Sequence, residues 1–173
     1  VDLISGRFSK SFASLGGFLV GDREVIAYIR HHSPAHIFSA SMPPANVATV
    51  LKSLEILQEE PWRLDRLEKI SNYMREELRN LGFNVWSSQT PIIPVVIGDM
   101  FDCFEFWKEL FEEGVYSNAV VPPAVPKNQA LLRTSYMATH TDEQLDKILD
   151  AFRKVGLRRG IIDKNGHSLI GES

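Results

Sequence analysis

The pattern of apolar and polar residues separates a first part of the chain with long helices from a second part in which short strands alternate with helices. Two short apolar runs, at residues 2–5 and 17–20, come first, and each is typical of a buried strand. Apolar side chains then recur at helical spacing over residues 22–30, behind Asp22 as a favourable N-cap. Pro34 is predicted to end this helix.

Two long helices are predicted next, and a proline precedes each of them. The pair Pro43–Pro44 opens a helix over residues 46–58, and Pro61 starts another that runs to about residue 81, where Gly82 closes it. Each helix has one apolar stripe. The stripes consist of Val47, Val50, Leu51, Leu54 and Leu57 in the first helix, and Leu64, Leu67, Ile70, Met74 and Leu78 in the second. Two consecutive helices of this kind suggest a bridge between domains.

From residue 83 onward the pattern is typical of a small α/β domain, which we place at about residues 84–162. The predicted strands are residues 84–86, 92–97, 115–117 and 131–137, and the predicted helices are residues 102–113 and one that begins at Thr141. Thr141 and Gln144 have the spacing of a capping box. Ser41 is expected to cap the turn into the helix that follows Pro43–Pro44.

Composition and charge narrow the class of protein. The 173 residues are 44% hydrophobic and 24% charged, which is typical of a globular protein with one sizeable core. A net charge of -3 gives no basic stripe, so nucleic acid is not an expected partner. No apolar run reaches the roughly 18 residues of a membrane span. The single Cys103 favours a reducing, cytoplasmic setting, and no metal site is expected because His31, His32 and His36 lack further ligands nearby.

Lys10 is the most distinctive residue, because it lies among small and hydroxyl residues between the first two apolar runs. Burying an ammonium group without a partner is costly, so packing alone seldom places a lysine at such a position. A partly desolvated lysine can form a Schiff base with an aldehyde, and pyridoxal phosphate is the commonest aldehyde cofactor. The alternative is an ordinary solvent-facing turn. A P-loop is excluded because no glycine directly precedes Lys10 and Gly6 lies too close to it.

The segment around Lys10 resembles a known family of enzymes. Residues 6–18 read Gly-Arg-Phe-Ser-Lys-Ser-Phe-Ala-Ser-Leu-Gly-Gly-Phe. They are similar to the cofactor-lysine segment of the α-oxoamine synthases, fold-type I pyridoxal-phosphate enzymes, and within that family to the serine palmitoyltransferase branch. Segments 37–44, 121–126 and 131–141 agree with the family in order and spacing, and the resemblance runs from residue 2 to about 162.

The resemblance implies an α/β architecture that corresponds to the C-terminal part of such a transferase. Residues 1–60 would end the large cofactor-binding domain and begin the bridging helices. Residues 61–162 would supply the bridging helix and the small C-terminal α/β domain, and residues 163–173 a loose tail. Since Val1 follows no methionine and opens within a strand, we expect the chain to be a piece of a longer protein.

The resemblance also implies a reaction and its partners. It predicts a pyridoxal-phosphate-dependent acyltransferase that condenses L-serine with a long-chain acyl-CoA and releases carbon dioxide, CoA and 3-ketosphinganine. The enzyme would be a homodimer with shared active sites. Two alternatives stay open. One is another α-oxoamine synthase, either glycine C-acetyltransferase or 8-amino-7-oxononanoate synthase, and the other is a non-catalytic scaffold subunit.

Individual site residues follow from the same resemblance. Lys10 would hold the cofactor aldehyde and, once released, act as a general base or acid. Arg7 stands where the family usually has threonine. It would either pair with the cofactor phosphate or turn toward solvent. Ser9 is a weaker candidate for the phosphate. Ser39 matches the serine that reaches the phosphate in the neighbouring subunit, and its alternative role is to cap the turn into the helix that follows Pro43–Pro44.

Arg133 lies on an otherwise apolar predicted strand. If the arginine is on the buried side of that strand, it requires an anion. A substrate carboxylate is the natural partner for a catalytic role, and an acidic side chain is the partner for a purely structural one.

Overall fold

The computed structural model describes residues 1–163 and 165–169, and its helices and strands fall into two units. The first unit is Val1–Pro61, and the second is Trp62–Ser173. The described residues form both helices and strands in each unit, so the α/β class predicted from the sequence is confirmed. None of the described helices is both long and apolar enough to cross a membrane.

The first unit consists of a β-hairpin and three helices. Strands β1 (Leu3–Arg7) and β2 (Gly17–Gly21) pair antiparallel, with Leu3 opposite Gly21 and Arg7 opposite Gly17. The helices are α1 (Arg23–His32), α2 (Pro34–Ile37) and α3 (Pro44–Glu59). Most side chains of both strands are exposed, so the expectation that these strands are buried is wrong. Among residues 1–61 only Ser14 is buried.

The N-terminal ends of two helices in this unit differ from the sequence expectation. Asp22 is the N-cap residue of α1, but its side chain accepts no capping hydrogen bond. The N-cap of α3 is Pro43, again with no side-chain hydrogen bond, so the prediction that Ser41 caps this helix is wrong. Proline supplies the reason: Pro44 at the start of α3 has no N–H group, so one fewer donor needs a cap.

The second unit combines a four-stranded antiparallel sheet with three helices. Its sheet has the order β3-β4-β6-β5. The strands are β3 (Asn84–Val85), β4 (Ile92–Gly98), β5 (Asn118–Val120) and β6 (Ala130–Ser135). The helices are α4 (Trp62–Asn80), α5 (Met100–Glu112) and α6 (Asp142–Arg158).

The hydrophobic core belongs to the second unit. All the buried hydrophobic side chains described in the structure lie between Ile70 and Ile162, where the inward faces of α4, α5 and α6 meet β4 and β6. Edge-to-face contacts join Phe83 to two other core rings, with ring centroids 5.9 Å and 5.6 Å apart. Cys103 is buried in this core, and burial raises the pKa of its thiol to about 11. The thiol is therefore a packing group rather than a reactive one.

Helix ends in the second unit largely follow the sequence. The Thr141 hydroxyl accepts a hydrogen bond from the Gln144 N–H group at 3.3 Å, and the Gln144 side chain accepts one from the Thr141 N–H group at 3.0 Å. The predicted capping box is thus confirmed. Gly82 follows α4 with a φ of 95°, a left-handed conformation that glycine adopts without steric cost.

One strand was predicted at the wrong place. The sequence predicts a strand at residues 115–117, whereas β5 lies at Asn118–Val120 and pairs with β6. Val115 instead closes the end of α5, since its N–H group donates to the Leu110 carbonyl at 2.8 Å. Strand β5 therefore begins only after Val115 has completed the end of α5.

Residues 163 and 165–169, in the C-terminal segment predicted to be loose, form defined hydrogen bonds. The Asp163 carboxylate accepts hydrogen bonds from the N–H groups of Asn165 and His167, both at 2.8 Å. Ile162 pairs with Ser168, and the Leu169 N–H group donates to the Ile161 carbonyl at 2.9 Å. The expectation of a loose tail is therefore wrong for residues 163 and 165–169, and residues 164 and 170–173 lie outside the described part of the chain.

Candidate functional site

Lys10 lies in the connection between β1 and β2, and backbone hydrogen bonds hold this connection in a defined shape. The Phe8 N–H group donates to the Gly16 carbonyl at 3.0 Å, and the Ser14 N–H group donates to the Phe8 carbonyl at 2.9 Å. Within the loop, the Ala13 N–H group donates to the Lys10 carbonyl at 2.9 Å, which closes a turn directly after the lysine. The lysine is therefore presented by an ordered turn.

Two side-chain contacts fasten this loop to α3. The Ser14 hydroxyl donates to the Asn46 carbonyl at 3.0 Å and accepts from the Asn46 side-chain amide at 3.2 Å. The Ser53 hydroxyl donates to the Phe12 carbonyl at 3.3 Å. The anchored residues Phe12 and Ser14 follow Lys10 closely in the loop, so the two contacts limit the positions that Lys10 can take.

The base of the hairpin requires glycine at Gly17. A Cβ atom on Gly17 would overlap the carbonyl oxygen of Gly6 on the facing strand. Phe8 packs edge-to-face on Phe12, with ring centroids 5.4 Å apart, and lies 5.7 Å from the Phe18 ring. The tight hairpin and its aromatic cluster thus form a rigid base for the lysine turn.

The side chains of Lys10 and Ser9 are exposed at this turn. The Lys10 amine forms no hydrogen bond or ion pair with any residue in the described part of the chain. Ser9 likewise has no side-chain hydrogen bond among these residues. The partial desolvation expected of Lys10 is therefore not observed in the described part of the chain, and the amine lies on an exposed turn, as in the alternative left open by the sequence.

Arg7 ends β1, on the same hairpin as Lys10. The arginine is exposed and lines a cavity of about 570 Å³ that lies between the hairpin and the helices α1 and α2. Its guanidinium has no ion-pair partner within residues 1–163 and 165–169. The two alternatives for Arg7, pairing with the cofactor phosphate and turning toward solvent, both stay predictions, since the side chain is exposed and also borders a cavity.

Ser39 lies just beyond α2 and is exposed. Its hydroxyl donates to the Ala35 carbonyl, so it closes the end of α2 and does not cap α3. The helix-cap alternative is thus wrong about which helix the serine serves. A hydroxyl that donates to a carbonyl can still accept a hydrogen bond, and Ser39 keeps that capacity.

Arg133 lies on β6, opposite Pro94 on one neighbouring strand and Asn118 on the other. Its neighbours Leu132 and Thr134 are buried, whereas Arg133 is exposed, so the arginine lies on the sheet face opposite the one that Leu132 presents to the core. The expectation of a buried-side arginine is wrong. The guanidinium forms no ion pair with any described residue, so the structural salt bridge is not observed either.

Sequence reasoning missed Ser14 and Asn46, the pair that anchors the lysine loop. They are 32 residues apart in the chain, and no local pattern connects them. Ser14 is nevertheless the single buried residue in the first unit, which marks it as structurally important. Separately, no group of three or more histidine, cysteine, aspartate or glutamate residues within the described segments could hold a metal ion.

Comparison with known proteins places these features in context. The chain matches the family of aminotransferases class I and II over residues 1–152. It is 46% identical over 155 residues to a serine palmitoyltransferase of Sphingobacterium spiritivorum, and this alignment covers 90% of the chain. It is also 41% identical over 162 residues to an 8-amino-7-oxononanoate synthase of Thermoanaerobacter pseudethanolicus, with 94% of the chain covered.

A solved structure agrees with the fold. A high-resolution structure described as SPT with a pyridoxal-phosphate internal aldimine has a TM-score of 0.87 and 32% identity, and it covers 94% of the chain. The chain in turn spans 39% and 41% of the two curated relatives named above, and 41% of the solved chain. The resemblance therefore concerns about two fifths of these proteins.

Proposed function

Because this chain belongs to the aminotransferase class I and II family, and within it to the α-oxoamine synthases, we propose that the protein is a pyridoxal-phosphate-dependent acyltransferase. The proposed reaction joins L-serine to a long-chain acyl-CoA and releases carbon dioxide and CoA, giving 3-ketosphinganine. The observation that carries the proposal is the unpartnered Lys10 amine on a turn anchored to α3. The 46% identity to a serine palmitoyltransferase supports serine as the amino acid.

The residues present fit this cofactor. Lys10 offers a primary amine for the aldehyde, and the unpaired Arg7 guanidinium on the same hairpin can form a charge-assisted pair with a phosphate. When bound, pyridoxal phosphate supplies an electron sink for negative charge at the amino-acid α-carbon. Lys10 would hold the aldehyde in the absence of an amino acid, and its amine would be placed to take or return a proton at that carbon.

Arg133 is proposed to bind the carboxylate of the amino acid. An exposed arginine without a structural partner is available to a substrate, and its planar guanidinium matches a carboxylate through two parallel hydrogen bonds. Such a pair would fix the orientation of the amino acid before the carboxylate leaves as carbon dioxide. The contribution of Arg133 is therefore binding and orientation rather than proton transfer.

We propose that the active protein is a homodimer in which Ser39 serves the site of the second copy. Ser39 is exposed, and its hydroxyl retains acceptor capacity after bonding to Ala35. The buried, unpaired thiol of Cys103 supports the proposed reducing, cytoplasmic setting.

An 8-amino-7-oxononanoate synthase activity is the second candidate, since the identity to that enzyme is 41%. The run Ala13-Ser14-Leu15-Gly16-Gly17-Phe18 favours the serine branch, because that branch carries the same small-residue pattern after its lysine. Both candidates use the same chemistry at Lys10 and differ in the amino acid and the acyl donor.

A substrate comparison tests the proposal. The purified protein, supplied with pyridoxal phosphate, is incubated with L-serine and palmitoyl-CoA, with L-alanine and pimeloyl-CoA, or with glycine and acetyl-CoA. Released CoA thiol and the mass of the ketone product are measured. We expect the serine pair to react fastest and Lys10→Ala to abolish the reaction, whereas the matched Lys52→Ala keeps it. No ketone from any pair would contradict the enzyme and favour the scaffold subunit.

A further inference from the structure

Two arginines and a histidine are among the residues that line the cavity beside the lysine hairpin. It lies between the hairpin and the helices α1 and α2, and its volume is about 570 Å³. Arg7 lines it from β1, Arg30 from the last turn of α1, and His36 from α2. No aspartate or glutamate is among the described residues that line it. The cavity therefore carries two fixed positive charges and an imidazole without an internal counter-charge.

None of these three side chains is occupied by another protein group. The side chains of Arg7, Arg30 and His36 form no hydrogen bond or ion pair with any residue that the structure describes. The two preceding histidines behave differently, since the imidazoles of His31 and His32 bond to the carbonyls of Ala27 and Tyr28 at 2.7 Å and 2.9 Å. His36 alone in this group keeps both ring nitrogens for a ligand.

The strand register explains why the guanidinium of Arg7 has room in the cavity. Arg7 pairs with Gly17, so no side chain lies opposite it on the facing strand. Ser5 and Leu19 form the next pair on the same face, and both also line the cavity. Leu19, Ile26 and Ile29 supply an apolar wall beside the cationic groups.

We propose that this cavity is a binding site for the phosphate group of an organic phosphate, formed by Arg7, Arg30 and His36. Guanidinium groups bind phosphate through paired, charge-assisted hydrogen bonds, and an imidazole can add a third. The apolar wall and the volume leave space for an organic group attached to the phosphate. The site thus includes two residues, Arg30 and His36, that lie outside the lysine motif.

The evidence for this phosphate site is the cavity and its lining residues, whereas the choice of ligands to test rests on the proposed function. Pyridoxal phosphate and the acyl-CoA donor both carry phosphate, so the binding of each phosphorylated molecule is compared with that of a related molecule without phosphate. The pairs are pyridoxal phosphate with pyridoxal and coenzyme A with pantetheine. Dissociation constants are measured by isothermal titration calorimetry for the unaltered protein, Arg30→Gln and His36→Gln. The matched controls are Lys52→Gln, which removes one charge from the same unit, and His32→Gln, which removes an imidazole from the same region.

We expect the preference for the phosphorylated member of one pair to fall about tenfold to a hundredfold in Arg30→Gln, as the loss of a charge-assisted hydrogen bond predicts. A smaller loss is expected in His36→Gln, and none in the two controls. If the loss appears in the pyridoxal pair, the phosphate bound is that of the cofactor. If it appears in the coenzyme A pair, it is that of the acyl donor. An unchanged preference in both pairs would overturn the site.

A second measurement separates failure of this site from failure of the proposed function. Borohydride reduction with pyridoxal, which has no phosphate, labels Lys10 whether or not the phosphate site exists. Labelled Lys10 together with unchanged phosphate preferences would overturn the site and leave the proposed function intact.

Discussion

At the scale of single residues, Arg133 gives the clearest functional prediction. Its side chain is exposed on the sheet face opposite the core and has no structural partner among the described residues. We expect Arg133→Gln to lower kcat/KM for the amino acid by about tenfold to a hundredfold, because a charge-assisted pair with the substrate is lost. Its free energy of unfolding should change by less than about 0.5 kcal/mol, as for other surface substitutions.

Steady-state kinetics and urea denaturation of the same preparations check this prediction. Arg153→Gln is the control, since Arg153 is an exposed arginine whose ion pair with Asp150, at 2.9 Å, involves no substrate. If the two variants have the same kinetic constants, Arg133 does not bind the amino acid.

Tyr136 places a phenol hydroxyl in a buried position. It is 6% exposed, and its hydroxyl has no hydrogen-bond partner among the described residues. The nearby Thr134 hydroxyl donates instead to the Ile93 carbonyl at 2.9 Å. Burial dominates the environment of the phenol and raises its pKa to about 12, although Thr134 acts weakly in the opposite direction.

Two consequences for Tyr136→Phe follow. At neutral pH the variant should be as stable as the parent or more stable by about 1 kcal/mol, because no buried hydroxyl is left unpaired. Since the folded pKa lies above the unfolded value of about 10, the parent loses stability as the pH rises from 10 to 12, by about 2–3 kcal/mol. Chemical denaturation across this range should show the phenylalanine variant losing that much less. A constant difference between the two proteins would mean that the hydroxyl ionises normally in the folded state.

At the scale of secondary-structure elements, the capping box of α6 is the most testable feature. The Thr141 hydroxyl accepts the Gln144 N–H group at the exposed start of this helix. Thr141→Ala should lower the free energy of unfolding by about 1 kcal/mol. Thr139→Ala, an exposed threonine two residues earlier, should change it by less than about 0.5 kcal/mol. Equal effects in urea denaturation would contradict a specific role for the cap.

Helices were predictable from the sequence to within a few residues, because their apolar stripes and end signals are local. The predicted helix at residues 46–58 is α3 (Pro44–Glu59), and the predicted helix at residues 102–113 is α5 (Met100–Glu112). Strand β5 was not predictable, since its position depends on pairing with β6 and on the helix cap that Val115 completes. The exposure of β1 and β2 could not be predicted either, because an apolar run in the sequence does not show whether other residues cover it.

At the scale of the whole molecule, the two units differ in how much core they contain. The buried hydrophobic residues described in the structure all lie in the second unit, whereas the first unit buries only Ser14. We therefore expect a fragment of residues 62–173 to unfold cooperatively in urea. A fragment of residues 1–61 should give no cooperative transition, since the burial of apolar surface is the main driving force of folding. A cooperative transition in the shorter fragment, or its absence in the longer one, would contradict this division.

The candidate site was predictable in part. The lysine loop could be predicted because its residues lie in one continuous segment of the sequence. The structure shows this loop as a turn that is anchored to α3. The Ser14–Asn46 anchor and the cavity shared by Arg7, Arg30 and His36 could not be found, because they depend on contacts between elements distant in sequence. The side of the sheet that carries Arg133 likewise became known only with the positions of the helices.

Binding of pyridoxal phosphate by the Lys10 amine is tested most directly by trapping the covalent bond between the amine and the cofactor aldehyde. The protein is incubated with pyridoxal phosphate, reduced with borohydride and digested, and the labelled peptides are identified by mass spectrometry. We expect one dominant label, on Lys10, which L-serine added before reduction diminishes. A label spread evenly over exposed lysines such as Lys52, with none enriched on Lys10, would contradict it.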